Sequence, residues 1–405
     1  MTITLTETPK IKYSETSTDP TVGGDGAEIP VIMGITGNST PASGILTFRN
    51  YSAACKTVAN GGIGTDTSTN PLLAFLKKFF EENVQKESSD LVVPYVYVID
   101  LGTGRTTTGS GNEAVTTLTT ATFTTAFANA KIKRDATAEV LVGFEKDDTA
   151  AQIIPLIDSA LAAIAADAVR GSPRILYFGV DGMTMDELKA LTNATNAKYV
   201  QDSRCALVGL YNEFGKTCAR IFTTHYSEEP GYAPYRSVAP NTFIERTSTV
   251  EDAIQNAGII FNHDEKPAKN IYPKINLAVS TSFAKASDNR PNDCLLHARR
   301  NVDQLIRDAF EVICPQLKRN ETEVNLSYLQ ADLDHLVNEK ILAGYMMDGT
   351  QIFVEESASN PIELKVIGVA VPVNATEIIN FELYIKPPNT TLGAWYYGNN
   401  CWSNK

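Results

Sequence analysis

The first residues of the chain alternate. Ile3, Leu5, Ile11 and Tyr13 fall on odd positions, with Thr2, Thr4, Thr6, Lys10 and Lys12 on the even ones. A period of two predicts a strand with one apolar face, and Pro9 confines that strand to an edge or splits it. The turn-rich linker STDPTVGGDGAE follows, so the strand stands apart from any core. A lone strand leaves its backbone donors and acceptors unsatisfied, which predicts a partner sheet elsewhere.

From Ile29 the pattern changes. IPVIMGI, LVVPYVYVID (91–100), AEVLVGF (138–144), RILYFGV (174–180) and ALVGLYN (206–212) are short apolar runs and predict buried strands. Helical spacing lies between them. Asn70 as N-cap and Pro71 at the first helical position open a helix with Leu72, Phe75, Leu76, Phe79 and Phe80 as its stripe. Further helices are predicted near 123–130, over the Ala-rich 148–170 closed by Gly171, and over 184–193. Asp100 is followed by a Gly/Thr-rich stretch that reads as loop. This alternation predicts an α/β layered core.

The segment 224–256, with Pro230, Pro234 and Pro240, reads as an irregular connection. Beyond it, 258–263 and 275–281 predict strands and 292–314 a helix stopped by Pro315. A second helix is predicted over 327–343, with Ser327 and Gln330 as a capping box and Gly344 at its end. TQIFVEE, IELKVIGVAVPV and EIINFELYI predict three final strands. The expected organisation is an arm and linker (1–28), an α/β domain (29–223), a connection (224–257), a C-terminal α+β domain (258–386) and a tail (387–405).

Composition narrows the function classes. The 405 residues carry 35 Lys plus Arg against 47 Asp plus Glu, a net charge of −12. That balance argues against bulk nucleic-acid binding. The N-terminus lacks the basic and apolar regions of a secretory leader, and no run of about 18 apolar residues predicts a membrane span. Six cysteines lie scattered with no Cys-x-x-Cys pair, which reads as reduced thiols and predicts no bound metal. The Asn-x-Ser/Thr triplets at Asn193 and Asn374 read as composition alone.

Catalytic chemistry has few candidates. A strand ending in Asp100, then Leu-Gly-Thr-Gly-Arg105, resembles the first phosphate loop of actin-like and sugar-kinase ATPases. It would make the chain an α/β enzyme binding a phosphorylated ligand or nucleotide. A plain surface loop explains the same residues, and Gly61-Gly-Ile-Gly64 is a weaker version. The four histidines are His225, His263, His297 and His335. Cys218 with His225, in a stretch that reads as a strand running into a loop, could be nucleophile and base, and Asp332, Asp334 and His335 a metal cluster. The last three sit on a helix whose apolar side is Leu333, Leu336 and Val337, which points to a solvated face. Arg299, Arg300, Lys318 and Arg319 form a basic cluster, read either as a surface face paired with carboxylates or as a contact to an acidic partner.

The C-terminal half resembles the contractile tail sheath proteins of phage tails and related injection systems. The stretches that carry the resemblance are INLAVSTSFA (275–284), CLLHARRNVDQLIRDAFE (294–311), LDHLVNEKILAGYMM (333–347) and VIGVAVPVNATEIINFELYI (366–385). IPVIMGITG, FLKKFFEEN and VPYVYVID fit more loosely. Thr281-Ser-Phe-Ala284 stands where the family has a Trp-Gly-Ala-Arg-Thr-like run, and its Tyr-Pro-Gly-Val-Tyr-like opening is absent.

The resemblance implies a non-enzymatic structural subunit with no cofactor, located in a tail assembled in the host cytoplasm. It implies stacked hexameric rings around an inner tail tube protein, with baseplate and tail terminator proteins as further partners. It also implies arms that add strands to neighbouring subunits. Ile3, Leu5, Ile11 and Tyr13 would belong to one arm, and Ile379, Phe381, Leu383 and Ile385 to the other. Arg299, Arg300, Lys318 and Arg319 become candidates for facing the tube.

Overall fold

The computed structural model describes residues 27–85, 91–110, 115–192, 204–209, 213–226, 230, 259–260, 262–263, 274–275, 296–316, 323–356 and 364–371. Its centre is a seven-stranded sheet. In chain order the elements that build it are β1 (Pro30–Gly34), β2 (Leu46–Phe48), α1 (Tyr51–Ala54), α2 (Pro71–Glu82) and β3 (Val96–Asp100). A small hairpin follows, β4 (Arg105–Thr108) and β5 (Val115–Leu118). Then come α3 (Thr120–Ala130), β6 (Ala138–Glu145), α4 (Ala150–Ala168), β7 (Ile175–Asp181), α5 (Met185–Thr192), β8 (Cys205–Val208), α6 (Phe214–Phe222) and β9 (Ile259–Ile260).

The strand order is β2-β3-β1-β6-β7-β8-β9, parallel throughout except for β2 at the edge. β1 pairs on both sides, Met33 opposite Ile99 and opposite Leu141. This is a doubly wound sheet whose order reverses at β1. Such a sheet is covered on both faces, and that is why its strands read as continuous apolar runs. Val31, Met33, Ile99, Leu141, Leu176 and Phe178 pack under α3, α4 and α5. On the opposite face, Ile32, Val98, Val140, Tyr177 and Val208 pack under α2 and α6. Each fully buried Phe or Ile contributes roughly 1.5–3 kcal/mol.

The local signals explain the elements. Asn70 Oδ1 accepts from Leu73 N at 2.9 Å, and Pro71 sits in the first turn of α2. Thr149 and Gln152 close a capping box on α4. α4 is long and apolar enough to cross a membrane, yet Ile153, Leu156, Ile157 and Ile164 are buried against the sheet. Gly171 takes φ +78°, and a Cβ there would meet the Phe310 ring at 2.2 Å.

The C-terminal part holds a short antiparallel pair, β10 (Asn262–His263) with β11 (Lys274–Ile275). It continues with α7 (Leu296–Ile313), α8 (Glu323–Leu342) and the antiparallel pair β12 (Gln351–Glu356) and β13 (Leu364–Val369). Leu305 of α7, Leu329, Leu333, Leu336 and Val337 of α8, and Ile352 of β12 form a third core.

Several expectations change. The Gly/Thr stretch after Asp100 contains the β4–β5 hairpin, and α6 stands where a strand running into a loop was expected. The boundary expected at 257/258 does not part the sheet, because Ile259–Ile260 is its seventh strand. Ser327 caps nothing, since α8 begins four residues earlier at Glu323. Gln330 instead bonds β12, donating to Ile352 O at 2.7 Å and accepting from Val354 N at 2.9 Å.

Candidate functional site

In an open α/β sheet, ligands bind beyond the carboxyl ends of the strands where the order reverses. Asp100 lies there, beside a shallow cavity of about 380 Å³ lined by Ala42, Leu101, Thr122, Thr125 and Asn129. Its carboxylate is already engaged. Oδ1 accepts from Thr36 Oγ1 at 2.6 Å and Gly102 N at 2.8 Å, and Oδ2 accepts from Ala42 N at 2.9 Å. Asp100 is 7% exposed and ties the loop after β1 to the loop after β3.

The glycines of the phosphate-loop pattern serve the same fold. Gly102 N turns inward to Asp100, and Gly104 N donates to Leu101 O at 3.0 Å. Gly104 takes φ +56°, and a Cβ there would stand 2.6 Å from Ile35. Arg105 does not reach into the cavity. Its guanidinium pairs with Asp148 and bonds Gly143 O at 2.9 Å. These contacts leave Asp100 and Arg105 as parts of the scaffold, which overturns the phosphate-loop reading.

Cys218 is fully buried in α6, and burial pushes its thiol well above the usual range, with the Glu28 charge adding to it. His225 Nε2 shares a hydrogen bond with Tyr345 Oη at 3.0 Å. Buried inside α6, Cys218 is not open to a substrate, which the nucleophile-and-base reading requires. Asp332, Asp334 and His335 are exposed on α8, as the solvated-face reading expected. Among the described residues no group of three metal-ligating side chains is gathered.

The basic cluster on α7 is not where a partner could meet it. Arg299 is 7% exposed and Arg300 is 1% exposed. Arg299 Nη2 pairs with Asp303 Oδ1 at 2.5 Å, and Arg204 Nη2 reaches the same oxygen at 2.9 Å. Arg300 Nε pairs with Glu28 Oε1 at 2.7 Å, its Nη2 donates to Thr224 O at 2.9 Å, and it lies 4.7 Å over the Tyr226 ring. The pairing with carboxylates was correct and the exposure was not. α7 turns this face onto the main sheet, and burial of a charge demands a partner. His297, on the same face, has its pKa lowered to about 4 by burial and by Arg300.

Lys318 and Arg319 lie outside the described residues. So do the arm residues Ile3, Leu5, Ile11, Tyr13, Ile379, Phe381, Leu383 and Ile385. Sequence reasoning missed Glu28, Asp303 and Tyr226, the partners that fix α7. A glutamate one residue before an apolar strand was the available signal.

No family model matches the sequence, and no curated protein matches it. Solved structures do. The sheath of an extracellular contractile injection system, PVC, in the contracted state superposes with a TM-score of 0.61 at 11% identity, covering 95% of this chain and 99% of that one. The helical sheath of the anti-feeding prophage, also contracted, gives a TM-score of 0.59 at 11% identity, covering 94% and 100%. This is the contractile sheath fold. A sheath tail protein from Desulfitobacterium hafniense shares it with a TM-score of 0.54 at 8% identity, covering 89% and 100%. The match covers 89–95% of this chain in these three comparisons, so it takes in described elements between residues 100 and 226, for which the sequence offered only general α/β reasoning.

Proposed function

We propose that the chain is a structural subunit of a contractile tail sheath. The observation that carries this reading is mutual coverage. This chain and the PVC sheath match over 95% and 99% of their lengths at 11% identity, so the whole architecture is common to both and not one widespread layer of it. In this reading the subunits stack as hexameric rings around an inner tube. They contract to drive the tube through the target envelope, anchored by a baseplate and closed by a terminator protein. The free energy of contraction is stored in the subunit interfaces at assembly.

The arms complete the reading. Residues 1–13, through Ile3, Leu5, Ile11 and Tyr13, and residues 379–385, through Ile379, Phe381, Leu383 and Ile385, add strands to neighbouring subunits. Two features support it. β12 and β13 form a two-stranded sheet among the described residues, and two strands alone are marginal in water. The N-terminal arm also leaves from a fixed root, because Glu28 N donates to Phe222 O at 3.0 Å and its carboxylate holds Arg300. Deleting residues 1–20 tests the reading. The truncated chain should stay folded and soluble and form no long tubes in electron micrographs. Normal polymerisation of the truncated chain would overturn the arm's role.

A further inference from the structure

The two ends of β6 and β7 carry opposite charge. At the amino ends, the turns after α3 and α4 place Lys131, Lys133, Arg134 and Arg170 together, with Asp135 as the exposed carboxylate among them. The turns are held as one surface. Arg174, fully buried, donates to Ala130 O at 3.1 Å and Lys133 O at 2.6 Å while pairing with Glu139 at 2.7 Å. Ser172 Oγ adds a bond to Arg134 O at 3.1 Å. Ile132 and Val169 stand in this patch 68% and 41% exposed.

At the carboxyl ends of the same strands, Glu145 and Asp181 are opposite each other in register. Asp147 and the first turn of α5, with Asp186 and Glu187, extend the acidic surface, and Lys146 and Lys189 are its basic members. Eight residues of β6 separate the two ends by roughly 25 Å. Among the described residues, neither Lys131, Arg134 and Arg170 nor Asp147, Asp181 and Asp186 form an ion pair within 4.0 Å. Helix dipoles favour cations after α3 and α4 and anions at the start of α5. They do not account for two aliphatic side chains left in water in the middle of the basic turns.

We infer that the basic end of one subunit, centred on Ile132 and Val169 and ringed by Lys131, Arg134 and Arg170, docks on the acidic end of a second copy at Asp147, Asp181 and Asp186. The occupant is another copy of this chain because the complementary surface is present on it, at the far end of the same strands. A contact between two different patches is heterologous. It leaves a free patch at each end, so it propagates as a ring or a helical array. Solvated charges steer and align the copies and remain salt-sensitive, which suits an interface that must rearrange. The inference rests on the sheath reading for the shape of the polymer, while the docking itself requires only two copies of the chain.

Charge complementation tests it on the full-length chain. One variant carries Lys131→Glu, Arg134→Glu and Arg170→Glu, and the other carries Asp147→Lys, Asp181→Lys and Asp186→Lys. At low salt, by light scattering and sedimentation, each alone should need at least about tenfold more protein to self-associate than the wild type. Mixed one to one they should co-assemble, because each then meets the opposite charge. The milder Arg134→Gln with Arg170→Gln, whose fold is checked by circular dichroism, should flatten the salt dependence of association. Wild-type association by each reversed variant alone, or no recovery on mixing, would overturn the inference. If each reversed variant alone still forms tubes, the inference falls and the sheath reading stands. If mixing restores association but the particles are not tubular, the docking stands and the sheath reading falls.

Discussion

Arg300 should be among the most stability-critical charged residues of the chain. Its guanidinium is 1% exposed, 2.7 Å from a Glu28 carboxylate that is itself 2% exposed. Replacing it with Met keeps much of the aliphatic stem and removes the charge. Glu28 is then left buried near Tyr177 and Cys218 without its cation, and Thr224 O loses a donor. Breaking a buried pair in this way costs about 3–5 kcal/mol, a large part of the 5–15 kcal/mol that holds a typical domain. Glu28→Gln in the Arg300→Met background should recover most of the loss, since no buried charge then remains unpaired. Urea denaturation followed by circular dichroism measures both variants. A solvated arginine would give a change within about 0.5 kcal/mol. A loss that small in Arg300→Met, or no recovery in the double variant, would refute the buried clamp.

Other outcomes follow from the same structure. His297 is held neutral with its pKa at about 4, so the unfolded state binds more protons between its ordinary value near 6.5 and that value. Stability should therefore fall as pH drops from about 6.5 towards 4, by up to about 1.4 kcal/mol per unit, and His297→Gln should flatten that limb of a pH-dependent melt. A thiol reagent applied to the native protein should label Cys314, which is exposed, and leave Cys205 and Cys218, both buried, unmodified until denaturant is added; mass spectrometry of the peptides reads this directly. Asp100→Ala removes the acceptor of three bonds that join two loops. It should cost on the order of 2–4 kcal/mol in denaturant melts, with no change in response to added nucleotide.

The legible part of the fold is the part whose signals are local. Apolar runs marked β1, β3, β6, β7 and β8, and Asn70-Pro71 marked the start of α2 to the residue. α6 was missed although its period is present, with Lys216, Thr217 and Arg220 on one side of FGKTCARIF and Phe214, Cys218, Ile221 and Phe222 on the other; nine residues are little more than two turns, too short a run to stand out. The β4–β5 hairpin was missed because threonine occupies both faces, with Thr106, Thr107 and Thr116 all exposed. The candidate site was least legible where partners are distant in sequence. Arg300 and Glu28 are 272 residues apart, and a pair of arginines on a helix reads as a solvated face until the opposing carboxylate is known. The Asp100–Arg105 pattern misled for a related reason. A strand, an aspartate and two glycines serve a tight loop tied to its neighbour as well as they serve a phosphate.

Cryo-electron microscopy of polymers formed by the full-length chain, followed by helical reconstruction, tests the central claim most directly. The sheath account expects tubes of stacked six-membered rings, with strands from residues 1–13 and 379–385 of neighbouring subunits added beside β12 and β13. Discrete globular particles at every protein and salt concentration, or tubes in which both arms fold back onto their own subunit, would contradict it.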